Sequence, residues 1–242
     1  MVTLPTHLSI VVPVGGGDLA WKTLLQDLPP LPHTWELIFI MVDSVDKNDW
    51  QACLRKSQQD EKRIHWVKAQ PPGRAWQLNQ GGDIARGHWL WFLHADSVID
   101  QRHLTWIEGI TTESKRALYY FDLSFTEAKL NLMALNQWGA NIRSRYLGMP
   151  FGDQGFLLER QLWLQLGRFE TGVAYGEDHK FAWTCHQQRI PLQRVPLAIR
   201  TSSRKYQQYG WFQTTKKHFI LTWKQALPEL WKLMKQRIGA KP

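Results

Sequence analysis

Two short apolar runs, Leu8 to Val14 (LSIVVPV) and Leu37 to Val42 (LIFIMV), constrain the fold of this chain more than any other feature. Each is a short, mostly apolar stretch rich in β-branched residues, the pattern of a strand buried on both faces. The first ends in Gly15-Gly16-Gly17 and the second in Asp43. Between them, Leu19 to Leu28 carries apolar residues at helical spacing and stops at Pro29-Pro30, so the chain opens as a β-α-β unit. The alternation continues. Residues 64 to 67 (IHWV) predict a third strand, Pro71-Pro72-Gly73 a turn, Arg74 to Arg86 a helix, and Trp89 to Leu93 (WLWFL) a fourth strand that runs into His94-Ala95-Asp96. Strands and helices in this order predict an α/β fold with a mostly parallel central sheet and helices on both faces. In such sheets the carboxyl ends of the strands face the ligand crevice, which directs Asp43 and Asp96 into one site.

The chain has 242 residues, enough for one large α/β domain to bury its core without disulfides or a structural metal. Its two cysteines, Cys53 and Cys185, form no framework, so two packed thiols and a reducing compartment are expected. The run Leu37 to Val42 is far short of the ~20 residues that a spanning helix needs. The first residues lack a basic region and are interrupted by Pro13 and glycines, so a secretion signal is not expected and a cytoplasmic location is. The formal charge of +9 is concentrated: residues 211 to 242 hold seven basic side chains against one acid, Glu229. A basic tail on a nearly neutral body argues for a surface anchor and against a nucleic-acid partner.

Beyond Asp100 helices are expected near Gln101 to Thr111, Ala128 to Ser144 and Lys180 to Gln188, with polar clusters at Gly152-Asp153-Gln154-Gly155 and Gly176-Glu177-Asp178-His179. Each candidate site residue has a plain structural alternative. Gly15, Gly17 and Ala20 with Asp43 imitate a dinucleotide fingerprint, although glycines also suit any tight strand-to-helix turn. Asp96 suits a hard divalent cation, Mn²⁺ or Mg²⁺, that takes one or two protein carboxylates, and equally suits a helix cap. Glu177 and Asp178 either face a substrate or favour the dipole of the helix they open. Arg74, at a helix start, either adds its guanidinium to a diphosphate site or is solvated, and the same choice holds for Arg204 and Lys205.

Taken in order, LSIVVPV, Asp43, the segment GRAWQLNQGGDIARGHWLWFLHADS (Gly73 to Ser97), GDQG, GED and TSSRKYQQYG (Thr201 to Gly210) resemble a family 2 glycosyltransferase. The likeness is to the compact bacterial subgroup described as radical-SAM/selenodomain-associated transferases, and it covers most of residues 8 to 210. It implies a GT-A fold: a Rossmann-like nucleotide half followed by an acceptor half, using a nucleotide-diphosphate sugar and a divalent metal with inversion at the anomeric carbon. By the same resemblance Pro13 and Val14 line the nucleotide pocket, Asp43 contacts base or ribose, and Arg74 and Arg204 lie near the diphosphate. Asp96 matches the last acid of the D-x-D motif, with His94 at the first acidic position, and Asp178 matches the general base.

The resemblance makes residues 1–210 the transferase domain and leaves 211–242 as a basic helical segment. There Phe219, Trp223, Leu227, Leu230 and Met234 recur at helical spacing, with a break or kink expected at Pro228. The segment either packs on its own domain or lies on an anionic membrane, bringing a lipid-linked or amphiphilic acceptor to the site. Two other functions stay open: a Rossmann-type NAD(P)-dependent oxidoreductase, and a non-catalytic nucleotide- or lipid-binding module.

Overall fold

A computed structural model describes residues 7–113, 116–125, 131–173 and 175–239. The opening alternation is present as β1 (Leu8–Val14), α1 (Ala20–Asp27), β2 (Trp35–Met41), α2 (Lys47–Lys56), β3 (Ile64–Lys68), α3 (Arg74–Ile84) and β4 (Trp89–Phe92). Then follow α4 (Gln101–Glu113), β5 (Leu118–Phe125), α5 (Asn131–Leu147), β6 (Phe156–Glu159), α6 (Arg160–Gln165), α7 (Glu177–Gln187), β7 (Leu192–Thr201), α8 (Arg204–Tyr209) and α9 (Trp211–Gly239). The helix expected from Ala128 begins, among the described residues, at Asn131.

The seven strands form one sheet in the order β3-β2-β1-β4-β6-β5-β7. All neighbouring pairs are parallel except those of β6, which runs against both β4 and β5. The α/β architecture with a mostly parallel sheet is therefore as expected. Alternate residues of each strand feed two cores. Ile10 and Val12 join Trp21 of α1, Trp50 of α2 and Leu104 of α4 on one face. Val11 and Ile40 join Leu78 of α3, Trp163 of α6 and Phe181 of α7 on the other. Both cysteines are free and buried, and burial pushes the Cys185 thiol up to about 12, as a packed and unreactive thiol requires.

The Gly73 to Ser97 block is largely an instrument for seating α3. Gln77 donates to the carbonyls of Val14 (2.8 Å) and Ile40 (2.6 Å), tying the helix to two strand ends. Asn79 donates to the carbonyl of Phe169 and accepts from its N–H. A Cβ on Gly81 would collide with Val11, and one on Gly82 would stand 2.6 Å from the Trp163 ring. Only glycines let the helix lie this close to the sheet.

On the far side of the sheet, Asp122 of β5 accepts hydrogen bonds from Arg145 of α5 and Arg194 of β7, both at 2.6 Å. Burial pushes its carboxyl up, but the two guanidinium bonds outweigh burial and hold it below the usual carboxylate range. A depressed folded-state value contributes stability above the unfolded carboxyl value, and that contribution is lost as pH falls through the folded one. Asp122→Asn is therefore expected to be less stable than the parent at neutral pH and to lose less on acidification. Urea midpoints measured from about pH 7 down to about pH 3 read this difference, and parallel curves would refute it.

Of the break or kink expected at Pro228, the break does not occur: α9 runs as one helix from Trp211 to Gly239. Its neighbours hold it. Ala226 is buried with Met149 and Trp183, Gln187 donates to Glu229 at 2.8 Å, and Gln225 donates to the Tyr175 carbonyl at 2.8 Å. The face that packs is Thr214, Thr222, Ala226 and Glu229. The larger apolar stripe of Phe219, Trp223, Leu227, Leu230 and Met234 stays exposed, Phe219 by 65%. Among the described residues, no helix is long and apolar enough to cross a membrane.

Candidate active site

The carboxyl ends of β1, β2, β4, β5 and β7 lie along one edge of the sheet. Because β6 is reversed, its leading end reaches the same edge and carries Gly152 to Gly155 there. Each residue of that turn has a separate duty. Gly152 donates its N–H to Asp178 Oδ2 at 2.6 Å, and a Cβ there would stand 2.7 Å from the same oxygen. Gln154 is fully buried and donates to Phe121 O and Ser144 Oγ, anchoring the turn. Gly155 adopts φ 63°, in the left-handed region. Asp153 is left to face a cavity.

Opposite this turn, α3 and α7 begin side by side. Gly73 (φ 134°) and Gly176 (φ 78°) precede them, so Arg74 and the Glu177-Asp178 pair enter the site from two helix starts. Arg74 Nε lies 2.7 Å from Glu177 Oε1, its Nη2 lies 3.9 Å from Asp178 Oδ2, and Nη2 also contacts His94 Nε2. A histidine at position 94 takes this guanidinium contact without adding a third negative charge. Burial pushes the Glu177 carboxyl up, with Arg74 opposing it. Asp178 accepts from Gly152 N–H through one oxygen and from its neighbour His179 N–H through the other.

Asp96 follows β4 and sits between two cavities. The larger, about 630 Å³, is bounded by His94, Asp96, Asp153 and Arg204 at its floor and by α5 and α9 at its walls. The smaller, about 240 Å³, lies between Asp96 and α1. Asp96 Oδ2 accepts from Thr201 Oγ1 (3.2 Å) and Ser202 N–H (3.4 Å), groups that arrive from the end of β7. The cap position at α4 is taken by Asp100, which accepts from Arg102 N–H at 3.0 Å.

Asp153, with Glu177 a candidate for the general base after Asp178, lines the larger cavity. Its Oδ1 is buried without a hydrogen-bond partner, and burial pushes its carboxyl up to about 6, with Arg143 opposing the shift. Arg143 donates to Met149 O and stacks 3.5 Å from the Phe151 ring centroid.

The remaining predicted residues lie around the β1 end. Asp43 accepts the N–H of Gly17 at 2.7 Å and so closes the glycine loop. Val14 is buried beside the partly buried Pro13 and passes its carbonyl to Gln77. Arg204 reaches back to Asp18 at 3.3 Å and thereby links α8 to that loop. The structure thus brings Arg74, His94, Asp178 and Gly152 into mutual contact, puts Asp96 and Arg204 on the larger cavity, and keeps Asp43 with the glycine loop. Among the described residues no three His, Cys, Asp or Glu side chains are grouped to hold a metal.

No protein-family model matches the sequence, and no curated protein matches it. Solved structures do share the fold. Mannosyltransferase PcManGT from Pyrobaculum calidifontis, in complex with GDP-Man and Mn²⁺, matches with a TM-score of 0.64 at 14% identity, over 97% of this chain and 70% of that one. TarS 1-349 from S. aureus matches with a TM-score of 0.57 at 14% identity, over 82% of this chain and 61% of that one. The same TarS fragment in complex with UDP-GlcNAc is covered over 59% of its length. This chain therefore spans about three fifths of the TarS fragment. These likenesses define the fold class as GT-A.

Proposed function

We propose that this chain is a metal-dependent, inverting, family 2 glycosyltransferase that moves a sugar from a nucleotide-diphosphate donor to a hydroxyl acceptor. Residues 1–210 are the transferase domain in this reading, of the radical-SAM/selenodomain-associated bacterial type, and 211–242 an appended basic segment. The observation that carries it is the convergence, on the carboxyl edge of a GT-A sheet, of Arg74, His94, Asp178 and Gly152 from separated parts of the chain. The nucleotide sugars held by PcManGT and TarS support the donor class.

Pro13, Val14 and Asp43 would line the nucleotide side, and Arg74 and Arg204 would face the diphosphate. A partly buried carboxylate bordering two cavities suits a cation that draws most of its oxygens from a diphosphate, and it does not suit an all-protein cage. Asp96 would hold Mn²⁺ or Mg²⁺, which when bound offsets charge developing on the leaving diphosphate. Asp178 would take the proton of the acceptor hydroxyl as its oxygen attacks the anomeric carbon and the carbon–oxygen bond to the diphosphate breaks. A second assignment of the base, Asp153, is favoured by its unpartnered Oδ1 on the larger cavity.

An oxidoreductase reading fits the topology less well. A dinucleotide fold continues past β4 with parallel strands, and here the reversed β6 stands in that place. The exposed apolar stripe of α9, with Lys217, Lys224 and Lys235 at its border, supports peripheral contact with an anionic membrane from the cytoplasmic side. The test of the whole reading is a thermal-shift panel of nucleotide sugars, nucleoside diphosphates and NAD(P), each with and without Mn²⁺. Stabilisation by one nucleoside diphosphate that needs Mn²⁺ and disappears in Asp96→Ala is expected. A shift with NAD(P) alone would favour the oxidoreductase. Binding with no donor turnover across an acceptor panel would favour the non-catalytic module.

A further inference from the structure

The larger cavity has two chemically different ends. Its floor is polar, with His94, Asp96, Asp153 and Arg204. Its walls are mostly hydrocarbon and indole: Leu135, Trp138, Ile142 and Leu147 from α5 and Phe219 and Trp223 from α9. Among the polar side chains on the same two helices, Asn136 and Thr215 hydrogen-bond each other and Thr222 donates to the His218 carbonyl. A sugar or peptide acceptor brings hydroxyls or amides that need hydrogen-bonding partners when they leave water. The six apolar side chains supply only the indole N–H groups of the tryptophans, and Asn136, Thr215 and Thr222 beside them already bond within the protein. A methylene chain needs none. The volume, about 630 Å³, lies within the range of small-molecule sites, roughly 300–1,000 Å³.

The mouth points to the same chemistry. Phe219 and Trp223 line the cavity and also begin the exposed stripe that continues through Leu227, Leu230 and Met234. Cavity and stripe are therefore one apolar surface, and a chain held inside reaches a bilayer along it without crossing water. Exposed lysines 217, 224 and 235 border that surface, as contact with an anionic leaflet requires.

We propose that this cavity is the acceptor site and that the acceptor is a lipid alcohol, its hydroxyl at the Asp153 end, the placement that goes with the second assignment of the base, and its hydrocarbon chain between α5 and α9. The hydrocarbon site stands on the cavity alone, and its role as acceptor site rests on the transferase reading above.

Gly139 makes the site testable. It lines the cavity from the middle of α5, and a Cβ added there meets nothing within 4 Å. Gly139→Leu therefore fills the cavity without a backbone clash, and leucine favours the helix. The probe is pyrenedecanol, followed by energy transfer from the tryptophans of the full chain, with n-alkanols from hexanol to dodecanol as competitors. Expected are saturable binding and a competitor affinity that falls about fourfold per methylene removed. A loss of tenfold or more is expected in Gly139→Leu, with the melting temperature kept. Phe219→Asp, a change at an exposed position, is expected to weaken binding in the same direction.

Absence of saturable binding, affinity independent of chain length, or unchanged binding in Gly139→Leu would each overturn the proposal. So would a dimer of the parent chain that Gly139→Leu dissociates while no alkanol binds, because that result puts a second copy in the groove. The nucleotide panel fails or succeeds separately. Alkanol binding without any nucleotide effect would leave the hydrocarbon site and remove its role as acceptor site.

Discussion

Asp178→Asn is expected to release nucleoside diphosphate from the donor about 10²- to 10⁴-fold more slowly than the parent, while donor affinity stays within a few-fold. The substitution keeps shape and removes the negative charge that would accept the acceptor's proton. Asp178 also holds the N–H groups of Gly152 and His179, so part of any loss is structural. The pH profile separates the two contributions. If Asp178 is the base, the variant loses the acidic limb of the rate profile. If Asp153 is the base, that limb survives in Asp178→Asn with an apparent value near the shifted carboxyl of about 6, and Asp153→Asn abolishes it. Full activity in Asp178→Asn would remove that residue from the chemistry altogether.

Arg74→Met is expected to lower the same rate by roughly 10²- to 10³-fold, the scale measured for deleting one preorganised donor to a developing negative charge. It should also change stability in a particular direction. Burial already raises the Glu177 carboxyl, and Arg74 is the charge that opposes the rise. A carboxyl whose folded-state value lies above its unfolded value contributes stability at low pH and loses it as pH rises toward the folded value. Without Arg74 the folded value moves further up, so the variant should lose more stability than the parent between about pH 4 and pH 7. Unfolding midpoints across that window check this. A variant that loses activity but keeps the parental slope would mean that Glu177 finds another cation or water.

Half of the fold was legible because its strands are buried on both faces. A strand inside a parallel sheet has no wet side, so β1, β2 and β4 stand out as mostly apolar runs, and α3 stands out by the glycines and amides that seat it. The other half hid for equally physical reasons. The apolar run of β5 is interrupted by Asp122, which only the two arginines from α5 and β7 make tolerable. β7 carries Pro196 at a bulge on the edge of the sheet, where no ladder hydrogen bond is required of it. β6 is four residues long, too short for any periodicity to register.

The amino-acid sequence by itself determined the first four strands, the helix that delivers Arg74 and the acids after β2 and β4, because burial, turn chemistry and helix starts are written within a few neighbouring residues. Tertiary structure decided which of those acids meet. The reversal of β6 sets Gly152 against Asp178 across 26 positions of chain, and the end of β7 brings Thr201 and Ser202 to Asp96. It also decided which side of α9 is covered: small residues pack against α7 while the aromatic stripe is left bare. A helix presents several faces at once, and only the shape of the surface it meets selects between them.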